Sequence, residues 1–150
     1  MIEIRPAIAA DVPVILRFVH ELAAFEREPD AVKATEPMLA AALFGAHPAA
    51  EAVIAESDGV AVGHAIFFHN FSTWEGKRGL YLEDLYVTPS ARGGGIGRAL
   101  LRHLARLAVK RGAYLRGFVY AFIELLAPGW DKRRLEQAFA APRPAAAGRA

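Results

Sequence analysis

A glycine-rich segment between a predicted strand and a predicted helix constrains the fold of this chain more than any other feature. The strand ends at Val87, Thr88-Pro89-Ser90 forms a turn because proline presets φ, and a pattern with helical spacing continues to Arg111. Glycine permits positive φ and lets a ligand approach the backbone closely. The free N–H groups and the dipole at a helix start favour an anion. The segment therefore predicts a pyrophosphate cradle, made by Arg92, Gly93, Gly94, Gly95, Ile96, Gly97 and Arg98.

The spacing of these glycines excludes two common phosphate-binding loops. A P-loop needs Lys-Ser or Lys-Thr after its last glycine, but Gly97 is followed by Arg98-Ala99. A dinucleotide fingerprint needs G-x-G-x-x-G and an acidic residue about 20 positions later, and Glu124 is too distant. The pattern that fits is Arg-x-x-Gly-x-Gly after a strand ending in Tyr-Val. A surface loop with solvated arginines is disfavoured, because ordering a glycine run costs much backbone entropy.

The composition indicates one globular domain without disulfides. The chain has 150 residues, of which 54% are hydrophobic and 23% charged, which fits a folded core better than disorder. We predict a domain over residues 1–141 and a disordered Ala/Pro tail over residues 142–150. Apolar runs are too short to span a membrane and no secretion signal is evident, so we expect a cytoplasmic protein. The absence of cysteine excludes a thiol nucleophile, and five scattered histidines lack metal-ligand spacing, so no metal is expected.

Charge is distributed unevenly along the chain. Residues 1–90 carry 6 Lys/Arg against 13 Asp/Glu, whereas residues 91–150 carry 12 against 3. This asymmetry fits an anionic cofactor beside the basic part and a cationic substrate beside the acidic part. Ordinary surface charge with a basic tail explains the same counts equally well. Nucleic acid is not expected as a partner, because neither a basic strand interleaved with aromatic residues nor a recognition helix is evident.

Hydrophobic periodicity predicts mixed α and β structure around the glycine-rich segment. We expect strands over residues 2–5, 52–55, 60–69 and 79–87, helices over residues 12–26, 36–44 and 96–111, and a strand that runs into a helix over residues 114–123. Asp11 is expected to cap the first helix, Thr35 to start the second, and Gly63 to mark a bulge. Ser57-Asp58-Gly59 is expected to form a hairpin turn, and residues 70–78 a polar loop. A period of two predicts that one face of the fourth strand carries Tyr81, Glu83, Leu85 and Val87.

The glycine loop resembles the acetyl-CoA loop of the Gcn5-related N-acetyltransferases. Other segments resemble its spermidine/spermine (diamine) acetyltransferase branch, which also contains thialysine acetyltransferases: Ile4-Arg5-Pro6-Ala7, Glu21-Leu22-Ala23-Ala24-Phe25-Glu26, Gly45-Ala46-His47-Pro48, Trp74-Glu75-Gly76-Lys77 and Tyr81-Leu82-Glu83-Asp84. The resemblance covers roughly residues 3–112. It implies an α+β fold, an α/β/α sandwich whose mixed, mostly antiparallel sheet is splayed near residues 85–87. It also implies acetyl-CoA as cosubstrate and a homodimer.

The resemblance also implies site residues. Main-chain groups of one strand end would bind the pantetheine arm, namely Leu85, Tyr86 and Val87. Phe25, Glu26 and Glu83 match positions that contact substrate. The chemistry agrees, because an amine must lose a proton before it attacks a thioester, and Glu83 can accept that proton directly or through water. Glu26 can pair with a second ammonium group. The alternatives are a solvated acidic loop for Glu26 and a strand carboxylate paired with a nearby Arg or Lys for Glu83.

After Gly112 the sequence departs from this family. The family expects a Phe-Tyr pair whose tyrosine protonates the leaving thiolate, but Leu126 stands at that place if Ile123 is the family isoleucine. Tyr114 and Tyr120 are candidate substitutes without a spacing argument, so the general acid is unassigned. The leading hypothesis is direct acetyl transfer to a primary amine of a polyamine, a diamine or a thialysine-like amino acid. The alternatives are a CoA-binding protein with reduced or no activity, and a structural partner module that binds no CoA.

Overall fold

The described part of the chain contains five strands and three α-helices. A computed structural model describes residues 1–74 and 76–117, with only the backbone of residues 114–117. The elements, in chain order, are β1 Ile2–Pro6, α1 Val12–Phe25, α2 Glu36–Phe44, β2 Glu51–Ser57, β3 Val60–Ser72, β4 Lys77–Val87, α3 Ile96–Lys110 and β5 Tyr114–Gly117. The predicted strand and helix over residues 114–123 and the predicted tail therefore lie largely outside the described residues.

The strands form one sheet in the order β1-β2-β3-β4-β5. The first four strands pair antiparallel, and β5 runs parallel to β4 with Gly79 opposite Tyr114 and Leu82 opposite Gly117. This confirms the predicted mixed, mostly antiparallel sheet. The described part of β5 ends opposite Leu82, so the expected splay near residues 85–87 stays a prediction. No helix among the described residues is long and apolar enough to cross a bilayer.

Alternate residues of the strands pack against helices on opposite faces of the sheet. One face carries Val53, Ala65 and Phe67 and packs against α3, whose Leu100 and Leu104 are fully buried. The other face carries Ala52, Ile54 and Ile66 and packs against α1 and α2 through Ile15 and Leu43. The result is the expected α/β/α sandwich. One side of α3 is apolar and buried, and the other side is polar and carries exposed arginines, namely Arg98, Arg102 and Arg106.

A β-bulge at Glu83 makes one strand prediction wrong. Ile66 pairs with Asp84 while the next residue, Phe67, pairs with Leu82, so Glu83 is an extra residue on β4. The extra residue shifts the alternation by one position. The α3 face of β4 therefore carries Leu80, Leu82, Leu85 and Val87, whereas Tyr86 packs against Phe18 and Leu22 on the α1 face. Tyr81, Glu83, Leu85 and Val87 do not share one face, because a strict period of two assumes an unbroken ladder.

Two further predictions need correction. The polar loop expected over residues 70–78 is shorter, since Asn70 pairs with Gly79 and Ser72 with Lys77, so that the connection between β3 and β4 is limited to residues 73–76. Polar side chains are tolerated there because this end of the hairpin is exposed. Asp11 occupies the N-cap position of α1, but its carboxylate accepts the Ile8 backbone N–H at 2.8 Å and forms an ion pair with Arg5.

Other local predictions are confirmed. Thr35 caps α2 by accepting the Met38 N–H, and α2 ends before Gly45. Asp58 and Gly59 adopt positive φ in the turn between β2 and β3, as a two-residue hairpin requires. The register of β2 and β3 shifts beside Gly63, where a bulge was expected.

Candidate active site

The glycine-rich loop joins the end of β4 to α3 by a short 3₁₀ turn and two left-handed glycines. The Thr88 N–H donates to the Val62 carbonyl at 2.8 Å, which fixes the loop entrance to β3. Gly93 has φ +83° and Gly95 has φ +81°, and α3 begins directly after Gly95. A Cβ built at either glycine meets no atom within 4 Å. These positions therefore require glycine for backbone conformation, and the space beside them is open to a ligand.

The first turn of α3 presents its backbone to this open space. The N–H groups of a first helical turn have no intrahelical carbonyl partner, and Gly95 has no side chain with which to cap them. The Arg98 side chain extends from the same turn and is exposed. Backbone donors, a positive helix end and a guanidinium together suit the pyrophosphate of a CoA molecule. The residues present therefore fit the cofactor that the sequence predicts.

The register of β4 determines which backbone groups face its outer edge. Because the Thr88 N–H points to β3, the N–H and C=O of Val87 point to the opposite edge. The same alternation directs the backbone of Leu85 to that edge, and the backbone of Tyr86 to His64 on β3. The edge of β4 that faces away from β3 thus offers main-chain groups at two of the three predicted cofactor positions.

The Arg92 side chain is exposed, but it folds back onto the end of β4 and the end of α1. Its Nε donates to the Val87 carbonyl at 2.9 Å. Its guanidinium lies over the Phe25 ring at 4.7 Å and near the Tyr86 ring at 5.7 Å from the ring centroids. Tyr86 in turn packs on Phe18, with centroids 5.6 Å apart. Arg92 thereby connects the loop, the end of β4 and the last turn of α1.

Three carboxylates lie at the bulge and at the end of α1. Glu83 is exposed on the bulge, and Asp84 beside it is half-buried. Burial, and then the charges of Glu83 and Glu26, raise the pKa of Asp84 to about 6. Glu26 directly follows α1 and is also exposed. Both predicted substrate carboxylates therefore lie within electrostatic range of Asp84, whose charge is unfavourable until a cation approaches.

Asp84 was not singled out from the sequence, although it stands in the Tyr-Leu-Glu-Asp segment. The strand pattern gave no sign of its burial, because the bulge is set by pairing with β3. The pKa of Tyr86, on the α1 face, is also raised, first by burial of the ring and then by a hydrogen bond with Glu21. The candidate acids Tyr114 and Tyr120 and the replacing Leu126 lie outside the described side chains. Among the described residues, no group of His, Asp or Glu side chains is arranged to hold a metal ion.

Comparison with known proteins defines the class to which this fold and site belong. The profile of the Acetyltransferase (GNAT) family matches residues 16–123. An integron cassette protein from the mobile metagenome of V. cholerae shares the fold, with a TM-score of 0.64 and 24% identity over 94% of this chain and 85% of that one. The chain belongs to the GNAT acetyltransferase family.

Curated relatives define the branch. The chain is 34% identical to the thialysine N-epsilon-acetyltransferase of Bos taurus over 141 residues, which is 89% of this chain and 78% of that protein. It is 40% identical to the human spermidine/spermine N(1)-acetyltransferase-like protein 1 over 114 residues, covering 71% of this chain and 16% of that protein. The chain therefore belongs to the diamine and thialysine branch of the N-acetyltransferases.

Proposed function

We propose that the protein transfers the acetyl group of acetyl-CoA to a primary amine of a small substrate that carries a second cationic group. The observation that supports this most is the cluster of Glu26, Glu83 and Asp84 beside the end of the cofactor strand. Such a cluster attracts ammonium groups, and a bound cation would relieve the repulsion among the three carboxylates. Polyamines, diamines and thialysine-like amino acids all meet this requirement.

The cradle is proposed to bind acetyl-CoA chiefly through its backbone. The N–H groups of Gly93, Gly95 and Gly97 would hold the pyrophosphate with Arg98, while Gly94 and Ile96 complete the turn into α3. Main-chain groups at the outer edge of β4, at Leu85 and Val87, would bind the pantetheine arm and orient the thioester carbonyl. Bound acetyl-CoA supplies an activated acyl group on a good leaving thiolate.

The chemistry proposed is direct transfer within a ternary complex. Glu83 takes a proton from the substrate ammonium, directly or through water, and the free amine then attacks the thioester carbonyl. Glu26 and Asp84 hold the cationic groups, and Phe25 lines the same end of α1. As the tetrahedral adduct collapses, the C–S bond would break, and the attacking nitrogen would lose its second proton while the departing thiolate takes up one, so that CoA leaves as the thiol. No acyl-enzyme on a cysteine forms, since the chain has no cysteine.

The location and the oligomeric state of the enzyme are also proposed. We propose that the enzyme acts in the cytoplasm, because a chain without cysteine forms no disulfide and therefore needs no oxidising compartment. A homodimer is proposed from the family resemblance. The alternative of a CoA-binding protein without activity rests on the altered segment after Gly112, and the named acetyltransferase relatives favour activity instead.

A panel of matched amines tests the proposal. Purified protein is assayed for CoA release with 1,4-diaminobutane, spermidine and thialysine, and with butylamine as a control that lacks the second cation. We expect kcat/KM to be at least about 10-fold higher for one of these three amines, each with a second ammonium group, than for butylamine, a difference of about 1.4 kcal/mol. CoA binding without turnover of any amine would contradict the proposed activity. Equal use of butylamine would contradict the role of the carboxylates.

A further inference from the structure

Arg92 joins the two halves of the site. We propose that Arg92 is a positioning residue that holds the substrate end of α1 against the cofactor strand, and that its side chain does not bind the pyrophosphate. This inference rests on the proposed function, because it concerns how that function's amine site is held in place. It is carried by the three contacts of the Arg92 side chain with Val87, Phe25 and Tyr86.

The Nε edge of the Arg92 guanidinium is hydrogen-bonded, and the group lies near two aromatic rings. Its Nε–H donates to the Val87 carbonyl at 2.9 Å, on the edge of β4 that carries the proposed pantetheine site. The Phe25 ring lies 4.7 Å from Cζ, within the range of a cation–π contact. A planar guanidinium can hydrogen-bond along its edge and stack on its face at once, which a lysine ammonium cannot do.

The partner ring belongs to the substrate side of the site. Phe25 is the last residue of α1 and is 45% exposed, so the sheet alone does not hold it. Glu26 follows directly, and its N–H donates to the Leu22 carbonyl at 2.9 Å. Stacking of Arg92 on Phe25 therefore fixes the direction of the helix end that presents Glu26. Without the contact to Arg92, the exposed ring would not hold the last turn of α1, which would then be free to fray.

This geometry separates the effect of Arg92 on the amine from its effect on CoA. The Arg92 side chain bonds the loop to Val87, but the left-handed glycines and the Thr88–Val62 hydrogen bond also hold the backbone of the cradle, and neither of these involves that side chain. Loss of the side chain should loosen the amine site and leave the cradle in place. A phosphate ligand would behave in the opposite way, because its loss weakens CoA binding first.

Two substitutions and one double-mutant cycle test the inference. Arg92→Ala and Arg92→Lys are each expected to raise the KM for the preferred diamine about fivefold or more, with the Kd for CoA within about twofold of wild type. Phe25→Leu should raise the same KM, and the Arg92→Ala/Phe25→Leu protein should be no worse than the poorer single variant, because both remove one contact. Arg106→Ala, which removes an exposed arginine from the middle of α3, is the matched control and should change neither constant.

The outcomes separate this inference from the proposed function. A wild-type protein without amine turnover would refute the function, and spermidine affinity measured by calorimetry on the CoA-bound protein would then replace KM. Hydrogen exchange gives a third reading: Arg92→Ala should speed exchange at residues 23–28 whether or not turnover is seen, and Arg106→Ala should not. CoA affinity that falls at least tenfold in Arg92→Ala and recovers in Arg92→Lys would overturn the inference. Additive effects of the two single substitutions, or unchanged exchange at residues 23–28, would also overturn it.

Discussion

Glu83 and Asp84 are adjacent on β4, yet the bulge gives them different environments. Asp84 pairs with Ile66 and is half-buried, while Glu83 is the extra residue and is exposed. The pKa of Asp84 is raised to about 6, mainly by burial and then by the charges of Glu83 and Glu26. Two neighbouring carboxylates with different surroundings can take different roles. The exposed one is placed to receive a proton, and the half-buried one gains most from a bound cation.

Replacement of Glu83 by glutamine tests its role as the base. Glu83→Gln keeps the shape of the side chain and removes the proton acceptor, so kcat should fall by about 10²- to 10⁴-fold. The Kd for CoA should stay nearly unchanged, because the cradle lies beyond Val87. Glu3→Gln, an exposed strand carboxylate on β1, serves as the control. If KM rises while kcat stays intact, Glu83 anchors an ammonium group; if neither constant moves, its assignment to the site is wrong.

Replacement of Asp84 should separate stability from activity. Its pKa in the folded protein is about 6, above the ordinary value of 3.8, so its contribution to stability is full below pH 3.8 and is lost as the pH rises through about 6. At pH 8, Asp84→Asn removes a half-buried charge and its repulsion with Glu83 and Glu26. The free energy of unfolding should therefore rise by on the order of 1–2 kcal/mol, while kcat/KM for a diamine falls. Urea unfolding and steady-state kinetics measure the two effects, and a destabilised variant would contradict the account.

The pH dependence of kcat/KM provides a second test of the role of Asp84. As the pH falls through about 6, Asp84 becomes protonated and no longer attracts a cationic substrate. We therefore expect kcat/KM for a diamine to show an acid limb near pH 6 that Asp84→Asn lacks. A wild-type profile without that limb, or a variant that retains it, would show that Asp84 does not contact the substrate.

His64 should make the protein sensitive to acid. It is fully buried, packs edge-on against Phe18 with ring centroids 5.5 Å apart, and burial lowers its pKa from 6.5 to about 3. A histidine held neutral stabilises the fold fully above pH 6.5, and this stability is lost as the pH falls toward 3. The slope approaches about 1.4 kcal/mol per pH unit in this window. Asp84 has the opposite slope between about 4 and 6, so the effect is clearest in an Asp84→Asn background.

Urea unfolding between pH 4.5 and 7.5 measures this slope. His64→Phe should flatten it, because phenylalanine keeps the edge-on packing and carries no titrating group. His20→Phe, at an exposed position on α1, should leave the slope as it is. An unchanged slope in His64→Phe would mean that another group causes the loss of stability in acid.

The cradle is tested by a glycine pair with matched backbone strain. Gly95 and Gly59 have φ +81° and +80°, and a Cβ at either meets no atom within 4 Å. Valine at either position should therefore destabilise the fold to a similar degree. Only Gly95→Val should reduce CoA affinity, by about 10-fold or more, since only this residue is in the cradle. Calorimetric titration measures the Kd, and equal affinity in the two folded variants would refute the assignment of the loop.

The sequence predicted what local residue types determine. The glycines at positive φ, the turn at Asp58–Gly59 and the start of α2 at Thr35 all follow from short-range conformational preferences, and they hold in the structure. The bulge at Glu83 could not be predicted, because pairing with β3 sets it. The contact of Arg92 with Phe25 joins residues that are distant in sequence, and no spacing rule reports it. Prediction therefore succeeded for the backbone conformation of the glycine-rich loop, whose binding of CoA stays a prediction, and was less complete where the substrate site depends on tertiary packing.

Direct detection of the acetylated product tests the central claim most plainly. The purified wild-type chain is incubated with acetyl-CoA and spermidine, 1,4-diaminobutane or thialysine, and mass spectrometry measures acetylated amine while a thiol reagent measures CoA. The account predicts one mole of N-acetylated product for each mole of CoA released, at rates well above the reaction without protein, with both signals nearly abolished in Glu83→Gln. CoA release without acetylated amine, or no product from any of the three amines by a protein that binds CoA, would contradict it.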